Sequence, residues 1–464
     1  MPDSDRVIAV GLTTMDKKHD KETLTPARRA AFDILRRVEK ERAHAATLVA
    51  ALPDAGLSRE DRALAQEIVI GVLRWQKLLD YFIVRYSGRP IERLDLGVVL
   101  ALRMGLYQLR YLSRVPQSAA VNESVKLVKA AQLSSASGLV NAVLRRAVSH
   151  PDDVVGDDLA DPAERAAVEL SHPVWLLDRW RAAWGEEEAT ALALANNQVP
   201  RHAFRVNTLR AKDEVVTALR NQGIEVRQSD YVPAAFVVVS GDAGAIIRLQ
   251  EQGLIYLQDE ASQLVSLLLK AKPGDRIFDL CAAPGSKTSH LAALTANQSW
   301  ILAGDIHPQR LALLLKACKR LSATSVEAVA LDATKELPVL EGAAKWNGVL
   351  LDAPCTGTGT LRRHPEIKWR LQPQGVRRMA ALQSALITRA ATLVDKGGRM
   401  VYSTCSLETE EDEAIIIRFL ETNPDFNLSK PDVNQDLITK AGFVRTFPQR
   451  HGMDGFFAAV LQRR

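Results

Sequence analysis

From residue 273 onward, short apolar runs alternate with helical stretches, and this alternation leaves few architectures open. The runs at 276–280, 300–303, 326–331, 349–351 and 399–402 are separated by helical segments such as 308–321 and 376–394. Strands alternating with helices build a doubly wound α/β sheet, whose ligands bind beyond the carboxyl ends of the strands. Polar and reactive residues just past each strand are therefore the candidates for function.

Two other periodicities precede this region. Residues 25–148 read as helices throughout, opening on Thr25-Pro26, an N-cap followed by proline at the first helical position. Phe32, Leu35 and Val38 repeat at helical spacing, and Leu64, Ile68, Val72, Trp75, Leu79, Phe82 and Tyr86 predict one longer helix. The pattern continues over 96–112 and 118–130, which predicts a helical bundle. Residues 151–200 combine an acidic run with Pro162, Pro173 and Pro200, and predict a linker with one helix around 175–184. Short strands follow at 204–208, 224–227, 236–240 and 254–258, with helical segments at 212–222 and 242–250. The order β-α-β-β-α-β is that of a small ferredoxin-like or RNA-recognition-like α+β unit. The expectation is a multidomain α and α/β chain: a frayed, disordered stretch at 1–23, a helical domain at 24–150, an acidic linker and helix at 151–200, the small unit at 201–262, and the large α/β domain at 263–464.

At 464 residues the chain exceeds one ordinary domain. No apolar run approaches the roughly 20 residues of a membrane helix, and the first 22 residues lack a secretory pattern, so a cytoplasmic protein without a membrane partner is expected. The net charge of +5 is unevenly spread. Residues 21–150 hold 21 Lys+Arg against 12 Asp+Glu, whereas residues 151–200 hold 3 against 11. A basic block including Arg28, Arg29, Arg36, Arg37, Arg145 and Arg146 suits a polyanion; solvated helix faces account for it equally well. Of the four cysteines, Cys281, Cys318, Cys355 and Cys405, the closest two lie 37 positions apart, and no CxxC pair exists. Neither a metal site nor a disulfide framework is expected.

The first strand of the alternating region runs into Asp279-Leu280-Cys281-Ala282-Ala283-Pro284-Gly285-Ser286-Lys287-Thr288. Small residues at a strand-to-helix turn let a ligand approach the backbone, and the helix N-terminus favours negative charge. A P-loop would need glycine where Leu280 stands, and no GxGxxG occurs. Asp305 ends the second strand, 26 positions after Asp279, where a carboxylate can accept both ribose hydroxyls of an adenosine. Asp332 ends the third strand, placed to face an adenine edge. Each acid alone reads equally well as a turn residue; acids at successive strand tips favour a ligand.

The fourth strand ends in Asp352-Ala353-Pro354-Cys355-Thr356-Gly357-Thr358-Gly359 and the fifth in Tyr402-Ser403-Thr404-Cys405-Ser406. Scattered cysteines are usually buried small hydrophobes. Two at neighbouring strand tips instead present thiols to one pocket, and a thiolate there suits covalent catalysis.

These motifs identify a family. DLCAAPGSKT, DAPCTGTGTLRRHPEIKW and YSTCSLETEEDE resemble the Fmu/Sun/RsmB-type ribosomal RNA cytosine-C5 methyltransferases. GVLRW, YQLRYLSRVPQSAAVNESV and GLVNAVLRR are similar to the family's NusB-like N-terminal domain, and RVNTLR and QDEASQL to its middle region. The resemblance spans about residues 24–464. It implies a Rossmann-like class I methyltransferase domain and S-adenosylmethionine as methyl donor, with 16S ribosomal RNA as partner; a monomer is expected. Carbon 5 of cytosine is a poor nucleophile. A thiolate adding to carbon 6 makes the ring an enamine, so that carbon 5 can take the methyl group; loss of the carbon 5 proton and of the thiol then restores the ring. By resemblance the nucleophile is Cys405, and Cys355 assists product release; the residues alone do not choose between them. The same matching assigns Cys281, Ala282, Ala283, Pro284, Gly285, Ser286 and Lys287 to the cofactor loop, with Asp305, Asp332 and Asp352 completing the site. Asp352 is also expected to stabilise the adduct. The family's second loop glycine is Ser286 here, and its Pro-Cys-Ser is Pro354-Cys355-Thr356. Both replacements are small and polar, so they bear on loop detail alone. The rival readings are a cytosine-C5 methyltransferase for transfer RNA or another ribosomal position, and a non-catalytic RNA-binding or antitermination protein. Intact cysteines at both tips count against the last.

Overall fold

The computed structural model describes residues 24–52, 56–156, 158–211, 214–336 and 345–464. The frayed terminus expected at 1–23 lies outside them. The chain divides into two compact units: one takes Met1–Ala43, Thr47–Val69 and Phe82–Asp153, the other His44–Ala46, Ile70–Tyr81 and Val154–Arg464.

The first unit is helical across its described residues. Helix Leu96–Tyr111 is its axis, with Val98 to Gln108 all buried. Gly105 sets how closely it packs, because a Cβ there would lie 2.6 Å from a Leu144 methyl of helix Ser137–Ser149. Helix Pro26–Lys40 begins at Pro26 as expected, but Thr25 gives it no side-chain cap. The Thr25 amide and hydroxyl both donate to Glu123 instead, at 2.9 and 2.7 Å. The basic residues are largely committed as well. Arg28 is buried and donates to Gln108 at 2.7 Å, while Arg29 and Arg36 pair with Asp33, and Arg37 with Glu41. Arg145 and Arg146 are exposed.

The single helix predicted across Leu64 to Tyr86 is two, Arg59–Arg74 and Gln76–Ser87. The break has a cause within the second unit: Trp369 Nε1 donates to the Leu73 carbonyl at 2.6 Å and Lys368 Nζ to the Arg74 carbonyl at 2.9 Å. Side chains thus satisfy carbonyls that a helix end leaves without partners.

Residues 151–200 hold three helices rather than a linker with one: Pro162–Glu169, Val174–Trp184 and Glu186–Asn196. Pro162 and Pro173, which suggested interruption, sit at helix starts, where no N–H is needed, and Pro200 follows the end of the third helix. Acidic residues also serve helix starts: Asp161 accepts the Ala163 amide, and Glu186, Glu187 and Glu188 fill the first turn of the third helix. Trp180 packs there with Leu176, Leu192, Leu361, Leu407 and Phe447. Truncating a tryptophan so deeply buried would cost roughly 3–5 kcal/mol.

Strands β1 (Ala203–Val206), β2 (Glu225–Gln228), β3 (Ala235–Ser240) and β4 (Ile255–Leu257) form an antiparallel sheet in the order β2-β3-β1-β4, with helices Glu214–Asn221 and Ala243–Glu251. This is the ferredoxin-like order.

The large sheet contains β5 (Arg276–Asp279), β6 (Trp300–Asp305), β7 (Val326–Ala330), β8 (Trp346–Asp352), β9 (Val394–Thr404), β10 (Phe426–Leu428), β11 (Val444–Thr446) and β12 (Phe456–Arg463). Its order is β10-β12-β9-β8-β5-β6-β7, with β11 paired to β12. Strands β5 to β9 pair in parallel, and β12 lies antiparallel to β9. One face packs on helices Glu260–Leu268, Ser286–Leu294 and Pro308–Leu321, the other on Pro373–Leu393 and Glu413–Thr422. The chain runs from β5 outward to β7, then returns to the other side of β5 as β8. That reversal places the topological switch point between the tips of β5 and β8, where such sheets bind ligands.

Candidate active site

At the switch point lies a cavity of about 420 Å³, walled by Cys281, Ala283, Asp305, Asp332, Asp352, Cys355 and Cys405, with Ile306, Leu331, Leu382 and Leu386. A second hollow of about 620 Å³, lined by Trp175, Trp369 and Lys77, holds none of the strand-tip residues.

The turn after β5 carries a cis Ala283-Pro284 bond, and Gly285 adopts φ +98 before helix Ser286–Leu294 begins. A Cβ at Gly285 would lie 2.7 Å from Leu314, so glycine is required twice, by conformation and by space. Arg310 holds the turn by donating to the Ala283 carbonyl at 2.7 Å. Cys281 and Ala283 reach the cavity wall; Ala282 is buried against the sheet. Burial pushes the Cys281 thiol pKa far up and that of Cys318 up to about 11, so neither is poised as a thiolate.

Lys287 turns inward and meets Asp352, Nζ to Oδ2, at 2.6 Å. Burial alone would lower the ammonium's pKa, but the Asp352 carboxylate outweighs it and holds the ammonium above its ordinary value. The other Asp352 oxygen accepts the Ser403 hydroxyl at 2.8 Å. Asp305 accepts the His307 amide at 2.9 Å and lies 3.4 Å from Arg310 Nη1. Asp332 accepts the amide and hydroxyl of Thr334, which draw its pKa below the usual range. Both acids therefore serve turns and also line the cavity. Asp279 differs: it is buried, accepts Thr288 Oγ1 at 2.7 Å and does not line the cavity. Burial pushes its pKa up to about 7.

The two cysteines meet across the tips of β8 and β9, with Sγ atoms 3.2 Å apart. The hydrogen bond to Cys405 and then burial raise the Cys355 pKa well above the ordinary thiol value, so Cys355 keeps its proton. The Gly359 amide donates to the Cys405 carbonyl at 2.9 Å, which fastens the two cysteine loops together. Below them Gly359 and Gly455 touch backbone to backbone; a Cβ on Gly359 would fall 1.9 Å from the Gly455 carbonyl oxygen.

Known proteins are similar to this chain over most of its length. Residues 266–462 match the family described as 16S rRNA methyltransferase RsmB/F, residues 25–149 the NusB family, and residues 172–242 the RsmF/B-like ferredoxin-like domain. The chain is 31% identical over 450 residues to the probable ribosomal RNA small subunit methyltransferase B of Bacillus subtilis, covering 95% of this chain and 99% of that one. It is 36% identical over 447 residues to the protein of the same name from Synechocystis, covering 94% and 99%. The chain belongs to the RsmB/F family of 16S rRNA methyltransferases. A solved methyltransferase homolog from Pyrococcus horikoshii is 28% identical, with a TM-score of 0.57, and covers 66% of this chain and 100% of its own.

In this RsmB/F-family chain, sequence reasoning missed three side chains that shape the site. Ser403 bonds Asp352, Gln383 Nε2 donates to the Pro354 carbonyl at 2.9 Å, and Glu411 spans both cysteine loops. Gln383 and Glu411 lie outside the strand tips, so the rule that located the other residues could not reach them. The acid-rich run at 408–413, beginning three positions past Cys405, was the available signal for Glu411.

Proposed function

We propose that the protein transfers a methyl group from S-adenosylmethionine to carbon 5 of a cytosine in 16S ribosomal RNA, through a covalent bond between Cys405 and carbon 6 of the base. The observation that carries this reading is the pair of thiols 3.2 Å apart on the wall of the switch-point cavity.

The residues present fit the cofactor. Ile306, though 57% exposed, turns an apolar side chain to the cavity beside Asp305, as an adenine face requires, and Leu331 and Ala333 extend that wall. Asp305 and Asp332 would hold the ribose and the adenine edge, and the turn from Cys281 to Lys287 the remainder. S-adenosylmethionine bound there supplies an electrophilic methyl group.

The chain's own groups do the rest. Cys405 forms the bond to carbon 6, which moves electron density to carbon 5. Asp352, kept in place by Lys287 and Ser403, offers its carboxyl edge to the polar side of the base. Once carbon 5 carries the methyl group it must lose its proton, and the carbon 6–sulfur bond must break. Cys355, a protonated thiol 3.2 Å from that sulfur, gives its proton to the departing Cys405 and, as the thiolate so formed, takes the proton from carbon 5. The target base has to leave its stack to enter the cavity.

The test is incubation with labelled S-adenosylmethionine and total RNA from cells lacking the gene, followed by mapping of 5-methylcytosine. A single labelled cytosine in 16S RNA is expected; label on another atom, or on transfer RNA instead, would overturn the proposal.

A further inference from the structure

Glu411 is fully buried directly behind the two cysteine loops. Its Oε2 accepts the Thr356 amide at 2.9 Å and Gln383 Nε2 at 2.9 Å; its Oε1 accepts Ser406 Oγ at 2.9 Å and the Thr356 hydroxyl. Thr356 follows Cys355, and Ser406 follows Cys405. One carboxylate thus ties together the residues adjoining both thiols, although they lie 50 positions apart in the chain. Its own backbone is fixed too, since the Tyr402 hydroxyl donates to the Glu411 carbonyl at 2.6 Å.

The neighbouring acids throw this into relief. Glu408 and Glu410 pair with Arg179, and Asp412 and Glu413 pair with Arg445. Among the described residues Glu411 has no cationic partner within ion-pair distance. A buried carboxylate without a countercharge is costly to desolvate, a cost that hydrogen bonds offset in part. Packing alone would be served better by an apolar side chain, so the four donors account for its presence.

We infer that Glu411 is the positioning residue of the reaction: its four accepted hydrogen bonds hold the Cys355 and Cys405 loops at the separation their chemistry needs. The inference rests on the proposed roles of the two cysteines, and its test separates the two ideas. Glu411→Gln keeps the reach, because its oxygen can accept from the Thr356 amide and Gln383 while its NH2 donates to the two hydroxyls. Glu411→Asp keeps the charge but is one methylene too short to bridge both loops.

In the full-length protein, without RNA, the rate at which diamide joins Cys355 to Cys405 reports the spacing directly. Glu411→Asp is expected to slow this coupling by ~10-fold or more and to lower kcat by ~10- to 100-fold, the penalty of a misplacement near 1 Å. KM for RNA and the affinity for S-adenosylmethionine should stay unchanged. Glu411→Gln is expected to recover most of both losses. If Glu411→Asp couples and turns over like the unaltered protein, or Glu411→Gln loses as much as Glu411→Asp, the inference is wrong. Should Glu411→Asp fail to bind S-adenosylmethionine, the double variant Thr356→Val, Ser406→Ala removes the hydroxyl donors and carries the same expectation. A protein that makes no 5-methylcytosine at all would overturn the proposed function, while the coupling rates would still judge the clamp.

Discussion

The ammonium of Lys287 and the carboxylate of Asp352 meet at 2.6 Å, joining the helix after β5 to the tip of β8 across the switch point of the sheet. Breaking a buried pair leaves the surviving charge without its partner. Lys287→Ala, which leaves Asp352 only the Ser403 hydroxyl, is expected to destabilise the protein by roughly 1–3 kcal/mol. Urea unfolding measures the loss, and an unchanged midpoint would show that water replaces the ammonium at no cost.

The two cysteines should fail differently. Cys405→Ala removes the attacking sulfur, so neither adduct nor product is expected. Cys355→Ala permits attack and methyl transfer but hinders release. Its expected signature is a protein–RNA adduct that survives denaturing electrophoresis and disappears in the double variant. The opposite pattern would make Cys355 the nucleophile.

Asp305→Ala is expected to weaken S-adenosylmethionine binding by ~10-fold or more, the loss of a charge-assisted hydrogen bond worth ~1.5–3 kcal/mol. RNA binding should change little. Calorimetry with equal cofactor affinities would remove this strand tip from the site.

Asp279 predicts a pH effect. Its folded pKa, raised to about 7 by burial, lies above the ordinary carboxyl value of 3.8. The folded state therefore holds this proton where the unfolded state has lost it, so stability falls as pH rises from about 4 to about 7 and levels off above. Asp279→Asn, which can still accept the Thr288 hydroxyl, should lose that slope. Chemical unfolding of both proteins at pH 5 and pH 8 tests it; parallel changes in both would show that other groups are responsible.

The basic block of the first unit is narrower as an RNA surface than its composition suggests, because Arg28 is buried and Arg29, Arg36 and Arg37 are paired with acids. Exposed Arg145 and Arg146 are the stronger candidates for phosphate contacts. Replacing both with alanine should lower the magnitude of the salt slope of RNA binding by about 1–2, as each lost contact spares its counterions. An unchanged slope would show that neither meets phosphate.

The parts of this structure that could be read from the chain are those encoded locally. Strand tips follow from apolar runs, so Asp305, Asp332, Asp352, Cys355 and Cys405 could all be directed to one cavity wall. What escaped depends on distant partners. The helix break at Trp75 follows from Trp369 and Lys368, nearly three hundred positions downstream, and the bond from Lys287 to Asp352 spans 65. The acidic stretch at 151–200 misled because prolines and carboxylates read as a linker are equally the residues that begin helices. Strands β10 to β12 were missed because β10 and β11 have three residues each, and β12 belongs to no strand-helix alternation.

Gly359 and Gly455 touch without side chains, and β12, which follows at once, lies between β9 and β10. This gives synthesis of the enzyme an order in time. A growing chain on the ribosome acquires both cysteines by residue 405, yet the strand that flanks the second of them arrives about fifty residues later. Until then β9 has an open edge and the Cys355 loop lacks the backbone it rests on. A chain halted late in that interval carries both thiols and the Glu411 carboxylate that ties their loops, but not the backbone under Gly359 or the strand beside β9, so the site is complete only once residues 455–463 are made.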